Sequence, residues 1–351
     1  MSVQSKTVLI TGGCGFMGSH FVRTLYNKYP NYKIVNLDVL TYAGNGDNLK
    51  DLEHTESEKA PSDRRYDHVV GDICDIPLVS DLFKTHTFDL VVHFAAETHV
   101  DRSIFNFGDF IRTNVEGTRV LLEAARVHKT PRFIHVSTDE VYGNVLEGHS
   151  DEGAPLNPSS PYSASKTAGD MLARTYAKVY ELPVAIIRSS NNYASFQYPE
   201  KLIPLTITNL IEGAKLPIHG EGTQVRSWLH VDDFCNAVDL MAHDTKPFSI
   251  YNLAGEARTN LEIIEHIAKI LDKDHIPHLA FVPDRPCADL RYAPSSALIE
   301  QELGWKRERA LDEALSKVVQ WYLENEEWWR KIKSRKEFMD HYEKQSKASW
   351  Y

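Results

Sequence analysis

A short β-branched run, Lys6 to Thr11 (K-T-V-L-I-T), leads into G-G-C-G-F-M-G at positions 12–18, and helical periodicity follows from Ser19 to Tyr29. Gly12, Gly15 and Gly18 at that spacing let a backbone turn sharply, approach a pyrophosphate and pack a helix on its strand, with the helix N-terminus facing the anion. Glycines alone would say little; their flanks decide the matter. Ile34 to Leu37 reads as a second buried strand ending in Asp38, about twenty residues past the last glycine, as a dinucleotide fingerprint requires. A carboxylate there accepts hydrogen bonds from an adenosine ribose and repels a 2′-phosphate, which favours NAD over NADP.

The alternation of strand and helix continues. His68 to Val70 is a strand leading to Asp72, a carboxylate placed to meet an adenine, and Asp81 to Lys84 lies on a helix. Leu90 to Phe94 is a buried strand ending in A-A-E-T-H, where small residues permit close approach of a flat ligand. His99 at its end either holds a sugar hydroxyl or caps the loop. Asn114 to His128 is an amphipathic helix, Phe133 to Ser137 a fifth strand, Tyr162 to Tyr180 a helix and Pro183 to Arg188 a sixth strand. Such a sequence makes an α/β fold, a doubly wound (Rossmann) parallel sheet. At 351 residues there is room for a second, smaller α/β lobe that binds substrate. The expected division is 1–190 for the dinucleotide-binding domain, with strands possible from later segments, 191–330 for the lobe, and 331–351 for a charged, aromatic tail that packs as a final helix. Residues 43–66 lack sustained apolar periodicity and read as a solvated loop or weak helix.

A formal net charge of −10 argues against a nucleic-acid partner, since phosphate backbones need basic patches. Cys14, Cys74, Cys235 and Cys287 have no spacing that suggests a disulfide framework or zinc, so no metal is expected. No apolar run approaches membrane-spanning length and the N-terminus enters a strand at once, leaving no room for a signal peptide. The expectation is a cytoplasmic protein without a membrane partner.

Chemistry concentrates between Ile134 and Lys166. The stretch I-H-V-S-T-D-E-V-Y-G sets Ser137, Thr138, Asp139 and Glu140 at the end of a strand, where α/β folds place their ligands. S-P-Y-S-A-S-K then opens a helix with Tyr162 and Lys166 on one face. An ammonium beside a phenol favours the phenolate and is expected to pull its pKa down from about 10. Further on, Lys201, Arg226 and Arg285 are isolated cations in polar loops of an acidic chain, which suits a diphosphate. Helices are expected from Leu261 to Leu271 and from Leu311 to Trp328.

These motifs, with L-T-Y-A-G-N, A-A-E-T-H-V-D-R-S-I and N-N-Y-x-x-x-Q-Y-P-E-K-L-I-P, resemble the extended short-chain dehydrogenase/reductases, and among them the nucleotide-sugar 4,6-dehydratases, from Lys6 to about Tyr322. Asp139-Glu140 is the mark that separates these from relatives that epimerise. The resemblance implies NAD as cofactor, with contacts at Gly12, Gly15, Phe16, Met17, Gly18, Asp38, Thr41, Asp72, Ile73, Ala95, Ala96, Thr113, Ser137, Tyr162, Lys166 and Asn192. It implies sugar-nucleotide contacts at Thr98, His99, Thr138, Asn191, Lys201, Leu202, Pro217, His219, Arg226, Asn260 and Arg285, and catalysis by Thr138, Asp139, Glu140, Tyr162 and Lys166. The implied reaction is oxidation of a hexose at C4, loss of water across C5 and C6, and return of hydride to C6, with dTDP-glucose as the leading substrate. It also implies a homodimer in which the helices from about Asn114 and Tyr162 pair with their mates. Three positions depart from the family pattern: Ala194-Ser195 for Gly-Pro, Ser227 for Asp, and Cys287-Ala288 for Gly-His. They leave dTDP and UDP both open as the nucleotide. The alternatives are a related NAD-dependent epimerase or variant dehydratase and, in another class, an NAD-binding sensor or scaffold, whose mark would be a broken catalytic set.

Overall fold

The computed structural model describes residues 5–348 other than 245 and 287, so Cys287 lies outside the described residues. In chain order the strands are β1 (Thr7–Thr11), β2 (Lys33–Asp38), β3 (Tyr66–Val70), β4 (Leu90–His93), β5 (Phe133–Thr138) and β6 (Val184–Ser189). There follow β7 (Asn191–Tyr193), β8 (Leu216–His219), β9 (Val225–His230), β10 (Phe248–Leu253), β11 (Glu256–Thr259) and β12 (Leu279–Val282). Among the described residues, seven of them form one parallel sheet in the order β10-β6-β5-β4-β1-β2-β3. The order reverses between β1 and β4, and the carboxyl ends there open a crevice for ligands.

Alternation along each strand builds a core on both faces of the sheet. Val8 and Ile10 meet Phe21, Leu25 and Phe234 on one side; Leu9 meets Val79, Leu121 and Ala173 on the other. The smaller lobe holds β11-β9-β7 and β12-β8, with its own core around Ile207, Trp228, Ile264 and Leu315. The chain crosses between the two: helix Val231–His243 packs on helix Phe16–Lys28, and β10 joins the edge of the main sheet.

Several elements differ from their sequence pattern. The first helix starts at Phe16, three residues early, because Gly15 acts as its N-cap. The 43–66 stretch is more ordered than its charge suggests: helix Lys50–Ser57 buries Leu52 and Glu56. The Glu56 carboxylate accepts hydrogen bonds from the Arg65 and Tyr66 amides at 2.5 and 3.3 Å, and so fastens this segment to β3. The helix expected at Asn114 begins at Phe107 and widens into π-type turns over Ile111–Gly117 before Thr118–Val127. The Leu311 helix stops at Glu324, and a separate helix, Glu326–Lys333, leads to a last one, Lys336–Lys347. Among the described residues no helix is long and apolar enough to cross a membrane.

Candidate active site

Two clefts meet at the carboxyl edge of the sheet. The first is bordered by the glycine loop, Asp38, Asp72, Ala95, Ala96, Ser137, Tyr162 and Lys166, and every position expected to face a cofactor lines it. Its floor tolerates no side chain. A Cβ at Gly12, whose φ is +74°, would stand 2.6 Å from the Ala95 amide nitrogen, and one at Gly18 would stand 2.2 Å from the Gly12 carbonyl oxygen. Asp38 is buried and accepts hydrogen bonds from the Cys14 and Leu40 amides at 2.9 and 2.8 Å, which aims its carboxylate at the cleft mouth.

The second cleft lies in the smaller lobe and contains Thr98, His99, Asn191, Lys201, Leu202, Pro217, His219, Arg226, Asn260 and Arg285. Thr138 faces the first cleft only, while Glu140, Asn191 and Lys201 border both. His99 stands at the N-cap of helix Val100–Phe105 without a side-chain capping bond.

The helix carrying Tyr162 and Lys166 is Pro161–Tyr180. Proline opens it, and Ser160 and Ser163 close a reciprocal capping box in which each hydroxyl accepts the other's backbone N–H at 3.0 Å. Asp170, one turn beyond Lys166, forms a bidentate pair with the fully buried Arg188 of β6 at 2.8 and 2.9 Å. That pair fixes the rotation of the helix relative to the sheet.

The electrostatics correct one expectation. Lys166 does not lower the Tyr162 phenol; its ammonium donates at 2.6 Å to the Val136 carbonyl, and burial pushes it down to about 8. The phenol is pushed upward by burial and by the Glu140 charge, against the Thr138 hydroxyl. The two adjacent carboxyls differ. Burial and the neighbouring Glu140 raise Asp139 far above the carboxylate range, and its Oδ2 has no hydrogen-bond partner among the described residues. Glu140 is raised by burial but opposed by Arg226 and Lys201. Both carboxyls are raised, Asp139 far more, and three cations rather than one oppose the shift at Glu140, an asymmetry that can divide acid from base.

The three cations are not isolated. Arg285 pairs with the buried Asp101, Lys201 donates at 2.9 Å to the Thr98 carbonyl, and Arg226 donates to the Asp289 carbonyl at 2.9 Å while lying 4.3 Å over the Tyr292 ring. The departures have local explanations where they are described: Ser227 Oγ accepts the Gly255 amide at 2.7 Å, the Ser195 carbonyl meets His20 Nε2 at 3.1 Å, and Ala288 lines the second cleft. Sequence reasoning missed Glu97 and Glu200, although both sit in motifs it singled out, and Gln345, for which no signal existed.

A family model described as GDP-mannose 4,6 dehydratase matches residues 9–318. The chain belongs to that family. Within the dehydratase family, it is 45% identical over 334 residues to dTDP-glucose 4,6-dehydratase of Streptomyces niveus, covering 93% of this chain and 96% of the relative. The solved structure of the Streptomyces venezuelae dTDP-glucose 4,6-dehydratase, crystallised with NAD and dTDP, superposes with a TM-score of 0.86 at 42% identity, over 93% of this chain and 99% of that one. UDP-glucose 4-epimerase of Thermotoga maritima shares the fold at TM-score 0.81, but with only 25% identity over 91% and 99% of the two chains.

Proposed function

We propose that this chain is an NAD-dependent hydro-lyase that converts dTDP-glucose to dTDP-4-keto-6-deoxyglucose. The observation that carries the reading is the Asp139-Glu140 pair at the end of β5, Asp139 buried and Glu140 half-buried, beside Tyr162 and Lys166, in a chain whose dehydratase relatives are far more similar to it than the epimerase is. The first cleft fits a dinucleotide, because the glycine positions leave no room for a Cβ where a pyrophosphate must pass and Asp38 presents a carboxylate for a ribose.

The C5 proton of a hexose is hardly acidic until C4 is a ketone, and each side chain has a task in that order. NAD, held by the glycine loop, Asp38 and Lys166, would supply the redox chemistry, taking up a hydride from C4 and giving it back to C6. Tyr162 takes the proton of the C4 hydroxyl, which Thr138 orients. Glu140 removes the C5 proton, and Asp139 donates its proton to the departing C6 hydroxyl, releasing water. Glu140 then returns a proton to C5 as C6 is reduced. Lys201, Arg226 and Arg285 hold the diphosphate in the second cleft.

Incubation with dTDP-glucose labelled with deuterium at C4 tests the reading: the label should appear at C6 of a 4-keto-6-deoxy product with no net reduced cofactor. UDP-glucose run in parallel identifies the nucleotide. An unchanged sugar with both substrates, or epimer formation, overturns the proposal. The exposed apolar residues on helices Thr118–Val127 and Pro161–Tyr180 support a homodimer, and the free thiols of Cys14, Cys74 and Cys235 suit a cytoplasmic location.

A further inference from the structure

The last helix, Lys336–Lys347, reaches the substrate cleft. It buries Phe338 beside Tyr198 and, with Ile332, against Tyr42 and Ala43, which borders the first cleft. Its Glu337 accepts the Tyr198 hydroxyl at 3.0 Å and pairs with Arg102, whose guanidinium also holds Glu200 at 2.9 Å and lies 3.7 Å over the Tyr42 ring. One turn on, His341 sets its ring edge-on to His99 with centroids 4.9 Å apart. Gln345 follows, 4% exposed and lining the second cleft. Its Nε2 donates at 2.9 Å to Oδ2 of Asp101, a fully buried carboxylate whose Oδ1 pairs with Arg285 Nε and whose Oδ2 also accepts from Arg285 Nη2 at 3.3 Å. Oε1 of Gln345 has no hydrogen-bond partner among the described residues.

The same region brings ligand atoms of His99, Glu200 and His341 within 4.8 Å of one another. A divalent cation there would enter beside Arg102, Lys201 and Arg285, with Arg102 already holding Glu200, so charge argues against a metal. The bonds of Gln345 carry more. A buried carboxylate needs its lone pairs satisfied, and an arginine is aimed by the carboxylate it pairs with.

We propose that Gln345 is a positioning residue: it fixes the Asp101 carboxylate, and through it the Arg285 guanidinium, so that the C-terminal helix sets how the diphosphate of the substrate is held. The proposal rests on the dehydratase reading for the identity of that diphosphate. Without Gln345, Asp101 turns fully to Arg285 and draws the guanidinium out of the cleft.

Two variants of the full chain test it, with dTDP and dTDP-glucose as probes. Gln345→Leu keeps the volume and removes the donor; KM for the sugar nucleotide and Kd for dTDP should rise about tenfold, the weight of one hydrogen bond to a charged group, with kcat little changed. Gln345→Glu sets a second carboxyl against Asp101, among Arg285, His219, His341 and Lys201. When protonated it is isosteric with glutamine and donates to Asp101, so its KM should be high at alkaline pH and fall toward the wild-type value as pH is lowered. A mere packing role would not produce that pH dependence, and the Glu variant answers the question even if the Leu variant folds poorly. Wild-type KM in both variants, or a raised KM in Gln345→Glu that does not move with pH, overturns the proposal. The two readings fail separately: a wild type that does not turn over dTDP-glucose sinks the function, whereas weakened dTDP binding in Gln345→Leu stands regardless.

Discussion

At the residue scale, Tyr162 is placed for proton transfer but rests protonated, raised by burial and by Glu140. Tyr162→Phe should lower kcat by about 10²–10⁴-fold, the usual weight of a positioned acid or base, while the protein retains its dinucleotide; product formation and cofactor content measure the two. The Asp139-Glu140 pair makes a sharper prediction because its members have opposite tasks. Glu140→Gln should stop exchange of the C5 hydrogen with deuterated water while C4 is still oxidised. Asp139→Asn should leave that exchange intact and slow the loss of the C6 hydroxyl by about 10²–10⁴-fold, as NMR of the sugar in deuterated water would show. If both variants lose exchange equally, the roles are not divided as argued. Asp139-Glu140 was readable from the sequence because the two are neighbours at a strand end. The resting state of the phenol was not, since it depends on Lys166 turning to the Val136 carbonyl.

At the element scale, the site depends on how helix Pro161–Tyr180 sits on β5 and β6. Asp170 and Arg188 form that join with both side chains fully buried, and Ser137 Oγ adds a bond to Asp170 at 3.1 Å. Removing one partner leaves an uncompensated buried charge, so Asp170→Ala should destabilise the fold by about 3–5 kcal/mol in denaturant titration, with activity lost alongside. An unchanged midpoint would mean that the helix is held by its apolar face alone. The glycine loop, Asp38 and six of the seven strands of the main sheet were legible because each rests on local chemistry, a turn that needs glycine or a run buried on both faces; β10, which returns to the sheet edge from the later part of the chain, was not read. The π-type turns at Ile111–Gly117 were not. They coincide with Asn114, whose amide accepts the Glu97 N–H at 2.8 Å and donates to Ser165 Oγ at 2.9 Å, and with Gly117, where a Cβ would stand 2.3 Å from Ile73 Cδ1. Those constraints come from distant segments, so a helical pattern in the sequence gives no hint of the wider winding.

Over the whole molecule, what was least legible is what joins distant parts of the chain. Asp101 read as one residue of a motif, Arg285 as a free cation and Gln345 as part of an uninformative tail, yet the three form one cluster. Buried histidines are likewise spread over both lobes and act together on stability. Burial holds His93 down to about 3, and His230 and His341 to about 4. Each is neutral in the folded chain and takes up a proton near 6.5 when unfolded, so its contribution is present above pH 6.5 and is lost as pH falls toward 4 and below. Glu97, raised by burial to about 7, works the other way and favours the folded chain on the acid side. Asp38, Asp139, Glu140, Glu152 and Glu200 are raised as well and act with it, so the histidine contribution is read by difference: between pH 6.5 and 4 the Tm of His93→Gln should fall less than that of the wild type. Association is the remaining property of the whole molecule. Val127, Met171, Val179 and Tyr180 are 47–60% exposed, on two helices that pack against each other, and Phe107 and Ile111 add to the same helical layer. Exposed apolar side chains gathered on one helical layer suit a protein contact, and the proposed homodimer would set a second copy against them by two-fold symmetry. Light scattering should give twice the mass of the 351-residue chain, and Met171→Glu with Val179→Glu should give the monomer. Neither residue lines a cleft, so the monomer should still bind dTDP; a wild type that is already monomeric would leave this face without its proposed partner.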